Sequence, residues 1–415
     1  MNQSALDVLK LRQQVSKTSV KKLDAILLRA HGDWVRHAYK YYGARTGRWS
    51  GQGVQLHNLP RGTVKGDNYE VAVESIRQLD RERVRAIGSV LDVVSSTIRG
   101  AFRAPEGSHF VVCDLSAIEN RVLGWLAGCQ PILGVFERGL DPYIEFATKF
   151  YHKPYGAVTK FERQMSKPAV LGCGYQLSGG EYTSDAYNRY CFNRSWSDRS
   201  WSDRITFDVW CQGKTPVQIG DVYKSGLWGY AENMGVNMSR EEAHEAVRVF
   251  RDEYREVTYF WEDSQEAVVN AVSTGEVTPL GHVSFGASGD RLLWATLPSG
   301  RRLHYIRPRL TRNCVSTECM GEGAAQWTRR SLYGGLIAEN LVQAIARDIL
   351  AVGLIRADES GFTIVGHTHD EIIALEKDSS SLNLEKLRQL MTDRVEWAPD
   401  LPLAADGYEG VVYKK

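Results

Sequence analysis

The amino-acid sequence predicts a mixed α+β fold, and three observations support that class. Residues 109–115 form a short apolar run that is rich in β-forming residues, and apolar residues at helical spacing follow it at once. Two more β-rich runs lie at 362–376 around a polar turn. Long segments between them, such as 239–271, carry apolar residues at helical spacing. Strand-forming and helix-forming segments that are separated in this way are typical of the α+β class.

Length and composition exclude several classes of protein. With 415 residues, the chain is long enough for two or three subdomains. No apolar run is long enough to span a bilayer, and the first residues lack a secretory signal, so we expect a cytoplasmic protein with no membrane partner. The seven cysteines are scattered and never spaced C-x-x-C, which argues against a disulfide framework and a zinc site. The formal net charge of +1 does not by itself indicate a nucleic-acid partner.

The first hundred residues alternate between predicted helix and loop. Apolar residues at helical spacing predict a helix over 20–42. The glycine-rich stretch 43–53, which contains Arg48, breaks every periodicity and leads to Gln-Leu-His-Asn-Leu-Pro at 55–60. Such a loop suits hydrogen bonding to sugars and groove edges, and it suits an ordinary surface loop equally well. Residues 69–94 are predicted to be a solvated helical segment.

The apolar run at 109–115 delivers a carboxylate to the end of a buried strand. Asp114 lies where the strand should end, and Ser116 is a candidate N-cap for the helix that follows. The first turns of that helix carry Glu119 and Arg121. The pattern is typical of an active site, and by itself it is found more often at a plain strand-to-helix junction.

A slanting row of side chains is predicted between 159 and 175. Arg163, Lys167, Leu171 and Tyr175 fall four residues apart, and successive steps of four drift only about 40° around a helix. Two cations, an apolar group and a phenol in one row can hold a triphosphate at one end and a flat base at the other. The alternative is a helix with a charged start and an apolar end. Pro168 predicts either a kink or a later helix start.

Two more helical segments and a tandem follow. Ser239 and Glu242 form a predicted capping box at the start of a helix pair over 239–271. A further helix is predicted over 322–352, and its apolar face is interrupted by Asn340, Gln343 and Arg347. Buried amides indicate that a partner is expected. The imperfect tandem at 194–203 carries no chemistry that we recognise.

Residues 291–317 form a basic stretch without an acidic residue. Its cations and rings are Arg291, Arg301, Arg302, Arg307, Arg309, Arg312, Trp294, His304 and Tyr305. This pattern suits contact with a phosphate backbone, and a solvated basic hairpin is an equally good interpretation.

A second acidic site is predicted at the hairpin over 362–376. His369, Asp370 and Glu371 lie at or just beyond its bend. Two carboxylates on strand ends, a cationic row and an arginine-rich loop are what nucleotidyl transfer requires. In that reaction a hydroxyl attacks phosphorus in line, and two divalent ions assist it. Oxygen ligands from Asp suit Mg²⁺.

These segments together resemble family A DNA polymerases. Asp114-Leu-Ser-Ala-Ile-Glu119-Asn-Arg121 resembles motif A, the row from Arg163 to Tyr175 resembles motif B, and His369-Asp370-Glu371 resembles motif C. Further similar segments are Thr46-Gly47-Arg48, Gln55 to Pro60, and Gln343 to Asp348. Leu297-Pro-Ser-Gly-Arg301 is closest to the phage-type branch. The motifs occur in the family's order from about residue 20 to the end of the chain, and this ordered set is far more specific than any single motif.

The resemblance implies a right-hand polymerase with an antiparallel-sheet palm, helical fingers and a largely missing thumb. The expected divisions are a thumb remnant and palm entry loop at 1–60, a first palm part at 61–150, fingers at 151–275 and a second palm part at 276–415. It also implies a template-directed DNA polymerase that adds dNTPs to a primer 3′-OH and releases pyrophosphate. We expect no proofreading exonuclease in this chain, and a separate exonuclease or processivity protein as a partner.

The resemblance also implies roles for individual residues. Asp114, Asp370 and Leu115 would hold two Mg²⁺ ions, with Mn²⁺ as an alternative, and Asp114, Asp370 and Lys167 would be catalytic. The nucleotide-binding residues would be Arg163, Lys167, Leu171, Tyr175 and Glu119, with Glu119 excluding ribonucleotides. Primer–template DNA would be bound by Arg48, Asn58, Gln343, His369, Arg121, Arg301 and Arg302.

Two residues depart from the family pattern. Leu171 stands where an aromatic residue is usual, and Gln176 stands where glycine is usual. Two alternative functions remain open from the sequence. One is a single-subunit RNA polymerase-like enzyme, against which Glu119 argues, and the other is a non-catalytic DNA-binding relative, against which the retained aspartates and Lys167 argue.

Overall fold

The protein is described by a computed structural model over residues 21–60, 62, 64, 66–184, 222–311, 314–320 and 327–414. The tandem at 194–203 therefore lies outside the described residues. The chain divides into two units. The first contains the described residues of Met1–Ser116, Arg347–Asp393 and Leu403–Lys415, and the second contains those of Ala117–Ala346 and Arg394–Pro402.

The described residues begin and end in the first unit. Its amino-terminal elements are α1 (Lys21–Arg29), β1 (Ala30–His31), β2 (Trp34–Val35), β3 (Tyr39–Lys40), β4 (Ser50–Gly51), α2 (Asp67–Arg77), α3 (Arg81–Ile87), α4 (Val90–Thr97) and β5 (Ser108–Leu115).

The second unit follows in the chain. Its elements are α5 (Ile118–Ala127), α6 (Gln130–Glu137), α7 (Pro142–Tyr151), α8 (Lys160–Gly172), β6 (Tyr182–Ser184), β7 (Val222–Lys224), α9 (Gly226–Asn233), α10 (Arg240–Glu253), α11 (Arg255–Thr274), β8 (Thr278–Leu280), β9 (Val283–Ser288), β10 (Leu292–Thr296), β11 (Arg302–Leu310), β12 (Val315–Met320) and β13 (Trp327–Leu332).

The chain then returns to the first unit. Helix α12 (Gly334–Glu359) begins in the second unit and continues into the first. It is followed by β14 (Ile364–His367), β15 (Glu371–Lys377), α13 (Leu384–Thr392) and β16 (Ala405–Gly410). Short 3₁₀ turns occur at Leu56–Asn58, Ile98–Ala101, Tyr155–Ala157 and Cys173–Tyr175. None of the described helices is both long and apolar enough to cross a bilayer.

The core of the first unit is an antiparallel sheet in the order β14-β15-β5-β16. On one of its faces, Phe110, Val112 and Ile373 are buried in a hydrophobic cluster with Val54 and Ile98. On the other, α13 packs against β5 and β16. Because both faces are covered, the central strands β5 and β15 carry apolar runs, which explains why the sequence predicts β5.

The second unit combines helices with a second antiparallel sheet. Helix α8 packs against α7, α9 and α10, and α11 packs against a six-stranded sheet in the order β13-β12-β11-β10-β9-β8. The sequence predicted α5, α8, α10 and α11 and the capping box of α10, but not α6 or α9. Ser239 accepts from the amide of Glu242, and the Glu242 side chain accepts from the amide of Ser239. The sequence did not predict this sheet.

The prediction of one helix over 20–42 is wrong. Helix α1 ends at Arg29, and the chain then makes the small hairpin β1–β2, in which His31 pairs with Trp34. Gly32 has φ +58° at the tip of this hairpin, a conformation that glycine adopts without steric cost. The Gly-Asp pair therefore ends the helical pattern, although apolar residues continue beyond it.

Two predicted helix boundaries also differ from the structure. Ser116 is not the N-cap of α5; that position is Ala117, which has φ +50° and makes no side-chain cap. Residues 69–94 are divided among α2, α3 and α4, and Asp80 caps α3 by accepting a hydrogen bond from the amide of Arg83. Asp80 was interpreted from the sequence as part of a solvated helix face.

The helix predicted over 322–352 begins later and ends later. The described part of that range starts with β13, where Trp327 and Thr328 extend the sheet, and α12 runs from Gly334 to Glu359. Glycine is required at the start of α12 because a Cβ on Gly334 would lie 2.1 Å from the carbonyl oxygen of Trp261. A Cβ on Gly335 would lie 2.4 Å from that of Tyr175.

Gln176 caps this crowded helix start. It lies directly after Tyr175 with φ +66°, and its side-chain oxygen accepts a hydrogen bond of 3.0 Å from the amide of Gly335. The amide of Gly334 is bonded in the same way to Gln265, at 3.2 Å. Two glutamine side chains thus satisfy amides that have no partner inside the helix. The residue that departs from the family pattern therefore has a structural role here.

We predict unequal losses of stability for two substitutions of Gln176. Gln176→Ala removes the hydrogen bond and keeps the left-handed backbone, so the free energy of unfolding should fall by about 1–2 kcal/mol. Gln176→Gly removes the same bond and also relieves the backbone, so its loss should be smaller by about 1 kcal/mol. Urea unfolding of the three proteins measures both differences, and an alanine variant that is as stable as the glycine variant would contradict the prediction.

Candidate active site

The two predicted metal-binding aspartates lie at neighbouring strand ends in the first unit. Strand β5 pairs with β15 in a register that sets Asp114 opposite Glu371. The amide of Leu115 donates a 2.8 Å hydrogen bond to the carbonyl oxygen of Asp370. Thr368 and Glu371 exchange both main-chain hydrogen bonds, so His369 and Asp370 form the tip of a two-residue turn. Both aspartates are half-buried.

Glu371 points away from solvent and is held by a buried network. It is 2% exposed, and its Oε1 accepts hydrogen bonds from Tyr413 at 2.6 Å and from Thr368 at 3.3 Å. Arg99 in turn donates to the Tyr413 hydroxyl at 3.0 Å and to the carbonyl oxygens of Leu59 and Pro60. Burial and the neighbouring Glu371 carboxylate raise the pKa of Tyr413, so its hydroxyl stays a donor.

Rings pack behind the turn that carries Asp370. His367 stacks on Tyr39 with ring centroids 4.5 Å apart and meets Trp49 at 4.8 Å. His57 meets the ring of His369 at 4.7 Å. Burial lowers the pKa of His57 to about 3, with help from the neighbouring histidines and Arg48, and lowers that of His367 to about 4. Both rings are therefore neutral at physiological pH.

The loop that contains the predicted Arg48 is anchored to the same ring cluster. Arg347 is the first residue of α12 that belongs to the first unit. Its guanidinium lies 4.1 Å from the Trp49 ring centroid and donates a 3.1 Å hydrogen bond to Asp348. Thr46 is buried, Arg48 is half-buried, and Asn58 is exposed at the end of the Leu56–Asn58 turn.

The donor set at the strand ends fits magnesium. Asp114 and Asp370 supply carboxylate oxygens, and Leu115, whose side chain is buried, can contribute only its main-chain oxygen. No group of three or more His, Cys, Asp or Glu side chains in the described ranges is arranged to hold a metal ion. Two carboxylates and one main-chain oxygen suit magnesium, because this ion keeps several waters and is commonly bound through one or two carboxylates together with substrate phosphates.

The predicted row on α8 is present in the second unit. Arg163, Lys167, Leu171 and Tyr175 are each half-buried, while most residues between them are buried. The helix begins at Lys160, and Thr159 forms a capping box at its start. Of the two alternatives that Pro168 predicts, a helix that begins later is therefore wrong. Tyr175 lies in the 3₁₀ turn that follows the helix.

Asp141 holds the first cation of the row. One of its oxygens caps α7 by accepting from the amides of Tyr143 and Ile144, and the other accepts from Arg163 at 2.8 and 2.7 Å. The Tyr143 ring lies 5.0 Å from the Arg163 guanidinium and 5.8 Å from the Lys167 ammonium. Both cations are thus positioned by α7.

Glu119 and Tyr175 come together in the second unit. The Tyr175 hydroxyl donates a 3.1 Å hydrogen bond to Glu119, which lies in the first turn of α5. Arg121, two residues on, is buried instead: it donates to the carbonyl oxygen of Pro402 at 2.9 Å and lies 4.0 Å from the Phe136 ring. Burial lowers the pKa of Arg121 to about 10. Its predicted DNA contact stays a prediction, and this burial does not favour it.

The remaining predicted DNA-binding residues are polar or cationic groups of the second unit. Gln343 is half-buried and donates to Glu339 at 3.2 Å. Arg301 donates to the carbonyl oxygen of Ala344 at 3.0 Å, and Arg302 is exposed over the Trp294 ring.

Sequence reasoning missed the groups that support these residues. They are Tyr39, Trp49, Arg99, Asp141 and Tyr413. Each acts through a contact with a residue that is distant in sequence, and of the five only Asp141 carries a local signal, as a residue preceding proline at a helix start.

Comparison with known proteins identifies the class to which this fold belongs. The chain superimposes on the POL domain of Pol1 from M. smegmatis in complex with DNA primer-template and dNTP, with a TM-score of 0.55 and 19% sequence identity. The match covers 94% of this chain and 50% of that one. The fold is therefore that of a polymerase domain.

Sequence comparison shows similarity to one polymerase family. Residues 3–184 match the model of DNA polymerase family A. A DNA polymerase of Bacillus phage SP02 is 34% identical over 98% of this chain and 57% of its own length. DNA polymerase I of Chloroflexus aurantiacus is 30% identical over 42% of this chain and 16% of its own length. These matches confirm the resemblance to DNA polymerase family A seen in the motifs, and the chain spans little more than half the length of the phage relative.

We predict that Tyr413 stabilises the turn of Asp370 through Glu371. Tyr413→Phe leaves a buried carboxylate without its shortest hydrogen bond, so the free energy of unfolding should fall by about 1–3 kcal/mol. Tyr408→Phe is the matched control, because its hydroxyl bonds only the main chain of Lys414. Urea unfolding compares the two variants, and equal losses would contradict the role of the Glu371 bond.

Proposed function

We propose that this chain is a template-directed DNA polymerase, which adds dNTPs to a primer 3′-OH with release of pyrophosphate. The observation that carries the proposal is the pair Asp114 and Asp370, set at adjacent strand ends by the β5–β15 register and the 2.8 Å bond from Leu115. Similarity to DNA polymerase family A supports the same chemistry.

The aspartates are proposed to hold two Mg²⁺ ions, with Mn²⁺ as a substitute. When bound, these ions activate the attacking oxygen and neutralise charge on the leaving pyrophosphate. The protein's own part is to fix the two carboxylates. Strand pairing fixes Asp114, and the two-residue turn fixes Asp370, while Glu371 is withdrawn into the buried network with Tyr413.

Arg163 and Lys167 are proposed to bind the triphosphate, with Lys167 assisting the transfer. A guanidinium and an ammonium one helical turn apart suit two neighbouring phosphates. Asp141 orients Arg163 before any ligand arrives, which lowers the entropy lost on binding. Leu171 and Tyr175 are proposed to contact the nucleotide sugar and base, and Leu171 does so without the aromatic ring usual in the family.

Glu119 is proposed to exclude ribonucleotides. The hydrogen bond from Tyr175 holds its carboxylate in one orientation, so an added 2′-hydroxyl would meet a fixed group. Primer–template DNA is proposed to contact Arg48, Asn58, Gln343, His369, Arg121, Arg301 and Arg302.

Other proposals concern the domain divisions, the partners and the location of the enzyme. The four divisions into thumb remnant, palm, fingers and second palm part stay predictions, as do the lack of a proofreading exonuclease and the separate exonuclease or processivity partner. Similarity to a phage polymerase supports a location in the cytoplasm of an infected bacterium.

Primer extension with Mg²⁺ and dNTPs tests the proposed chemistry. Asp114→Asn or Asp370→Asn should lower the rate at least about a thousandfold, because metal-assisted charge stabilisation supplies several kcal/mol. Asp378→Asn is the matched control, since Asp378 lies at the opposite end of the same two strands and bonds His109.

Two outcomes would contradict the proposal. Full activity of either aspartate variant would exclude the metal assignment. DNA binding without incorporation under any divalent metal would favour the non-catalytic alternative.

Sugar selection is tested by competition between dNTPs and rNTPs. Glu119→Ala should raise relative ribonucleotide incorporation about tenfold or more, and Tyr175→Phe should raise it less, because it frees Glu119 without removing it. Glu137→Ala, an exposed glutamate on the neighbouring helix, is the control. Efficient synthesis from rNTPs on an unprimed template by the unaltered protein would instead support the RNA polymerase alternative.

A further inference from the structure

The six-stranded sheet of the second unit has one packed face and one open face. Phe285, Leu293 and Leu303 alternate along β9, β10 and β11 on the packed face, where they are buried and α11 packs. The residues between them lie on the other face. We call this the open sheet face and define it by Trp294, Arg302, His304, Arg309, Trp327 and Arg329.

Aromatic and cationic groups lie side by side at the centre of this face. Trp294 and His304 are direct cross-strand neighbours. The Arg302 guanidinium lies 5.2 Å from the Trp294 ring centroid. Trp294 packs over Gly286, where a Cβ would lie 2.5 Å from the ring. The sheet thus carries a glycine at the position that lets the indole ring lie close to its backbone.

A β-bulge keeps the cations of β11 on the open face. Ile306 pairs with Glu318 and Arg309 pairs with Ser316, so β11 has one more residue than β12 between these pairs. Pro308 is consequently buried, and Arg309 is exposed on the same face as Ile306. Without the bulge, simple alternation would turn Arg309 to the packed face.

The charge of the open sheet face is positive. Glu318 is its one described acidic residue, and it is paired with Arg307 and Arg329 at 3.1 Å each. Two guanidinium groups therefore face one carboxylate, while Arg302 and Arg309 are exposed on the same face. A polyanion would be attracted to this face.

A second aromatic position extends the face to the edge of the sheet. Trp327 on β13 is 56% exposed and pairs with Met320, which is 50% exposed. Apolar groups alone would suit a protein partner. Here, however, they alternate with exposed cations, and rings beside guanidinium groups on an open sheet are what unstacked bases and their phosphates require.

We propose that the open sheet face binds single-stranded DNA, with a base stacked on Trp327 and phosphates bound by Arg302 and Arg309. Arg302 is also among the residues proposed to contact primer–template DNA, and that contact is assigned here to an unpaired strand, because the bases of a duplex are already stacked and a broad sheet cannot enter its grooves. The proposal goes beyond the polymerase function, since binding here involves no synthesis and no aspartate of the candidate active site.

The test measures binding of a labelled oligo(dT) by fluorescence anisotropy, using the full chain with Asp114→Asn to prevent synthesis. We expect the doubly substituted Trp327→Ala, Arg302→Gln protein to bind about tenfold more weakly. The slope of log affinity against log salt should fall by about 0.7 for the lost phosphate contact. Arg302→Gln alone, an exposed substitution, should reproduce the change in slope without any effect on folding.

The matched control is Trp34→Ala with Arg36→Gln in the first unit. Trp34 is 46% exposed and has the Arg36 guanidinium 6.0 Å from its ring, so the same pair of side chains is removed elsewhere. Its oligo(dT) affinity should be unchanged.

Three outcomes would overturn the proposal. The first is equal affinity of the sheet variants and the parent, and the second is equally strong competition by blunt duplex DNA. The third is no oligo(dT) binding by the parent, which would leave the face as a surface for a protein. Failure of the polymerase function appears separately, as a lack of primer extension by the unsubstituted chain.

Discussion

The pairing of β5 with β15 is the constraint on which the candidate active site depends. The two strands are separated by more than two hundred residues, yet their register decides where both aspartates lie. A slip of one residue would turn Asp114 to the opposite face of the sheet and move it from the site. Apolar burial on both faces opposes such a slip, because Phe110 and Val112 would then leave their cluster with Ile373. The hydrophobic core thus fixes the position of the polar site.

The buried network around Glu371 adds a second constraint on the same turn. A carboxylate beside Asp370 could compete with it for cations, but its burial with Tyr413 and Thr368 withdraws it. Arg99 satisfies the Tyr413 hydroxyl and two main-chain carbonyls at once. Removing one member would leave a buried polar group unsatisfied, which costs more than an exposed hydrogen bond contributes. We infer that the network stabilises the turn and thereby the orientation of Asp370.

The sequence predicted the parts of the fold that depend on local pattern. Strand β5, the hairpin at Asp370, the row on α8 and the capping box of Ser239 and Glu242 follow from periodicity and short-range chemistry. It failed where a long-range contact or a turn decided the outcome. Gly32 ended a helix whose apolar pattern continued, and pairing with β12 made a strand of residues expected to be helical. Tyr413 and Arg99 could not be found, because their partners lie far away in the sequence and no local pattern marks them.

The net charge of +1 is consistent with a DNA-binding protein, because acidic residues position many of the cations. Asp141 orients Arg163, Asp348 bonds Arg347, and Glu318 pairs with Arg307 and Arg329. A guanidinium that is already held loses less conformational freedom when it meets a phosphate. Pairing cations with carboxylates weakens the long-range electrostatic field of the protein. At physiological salt that field extends only about 8 Å in any case. Local arrangement of charge within each unit, rather than its sum over the chain, therefore decides what that unit can bind.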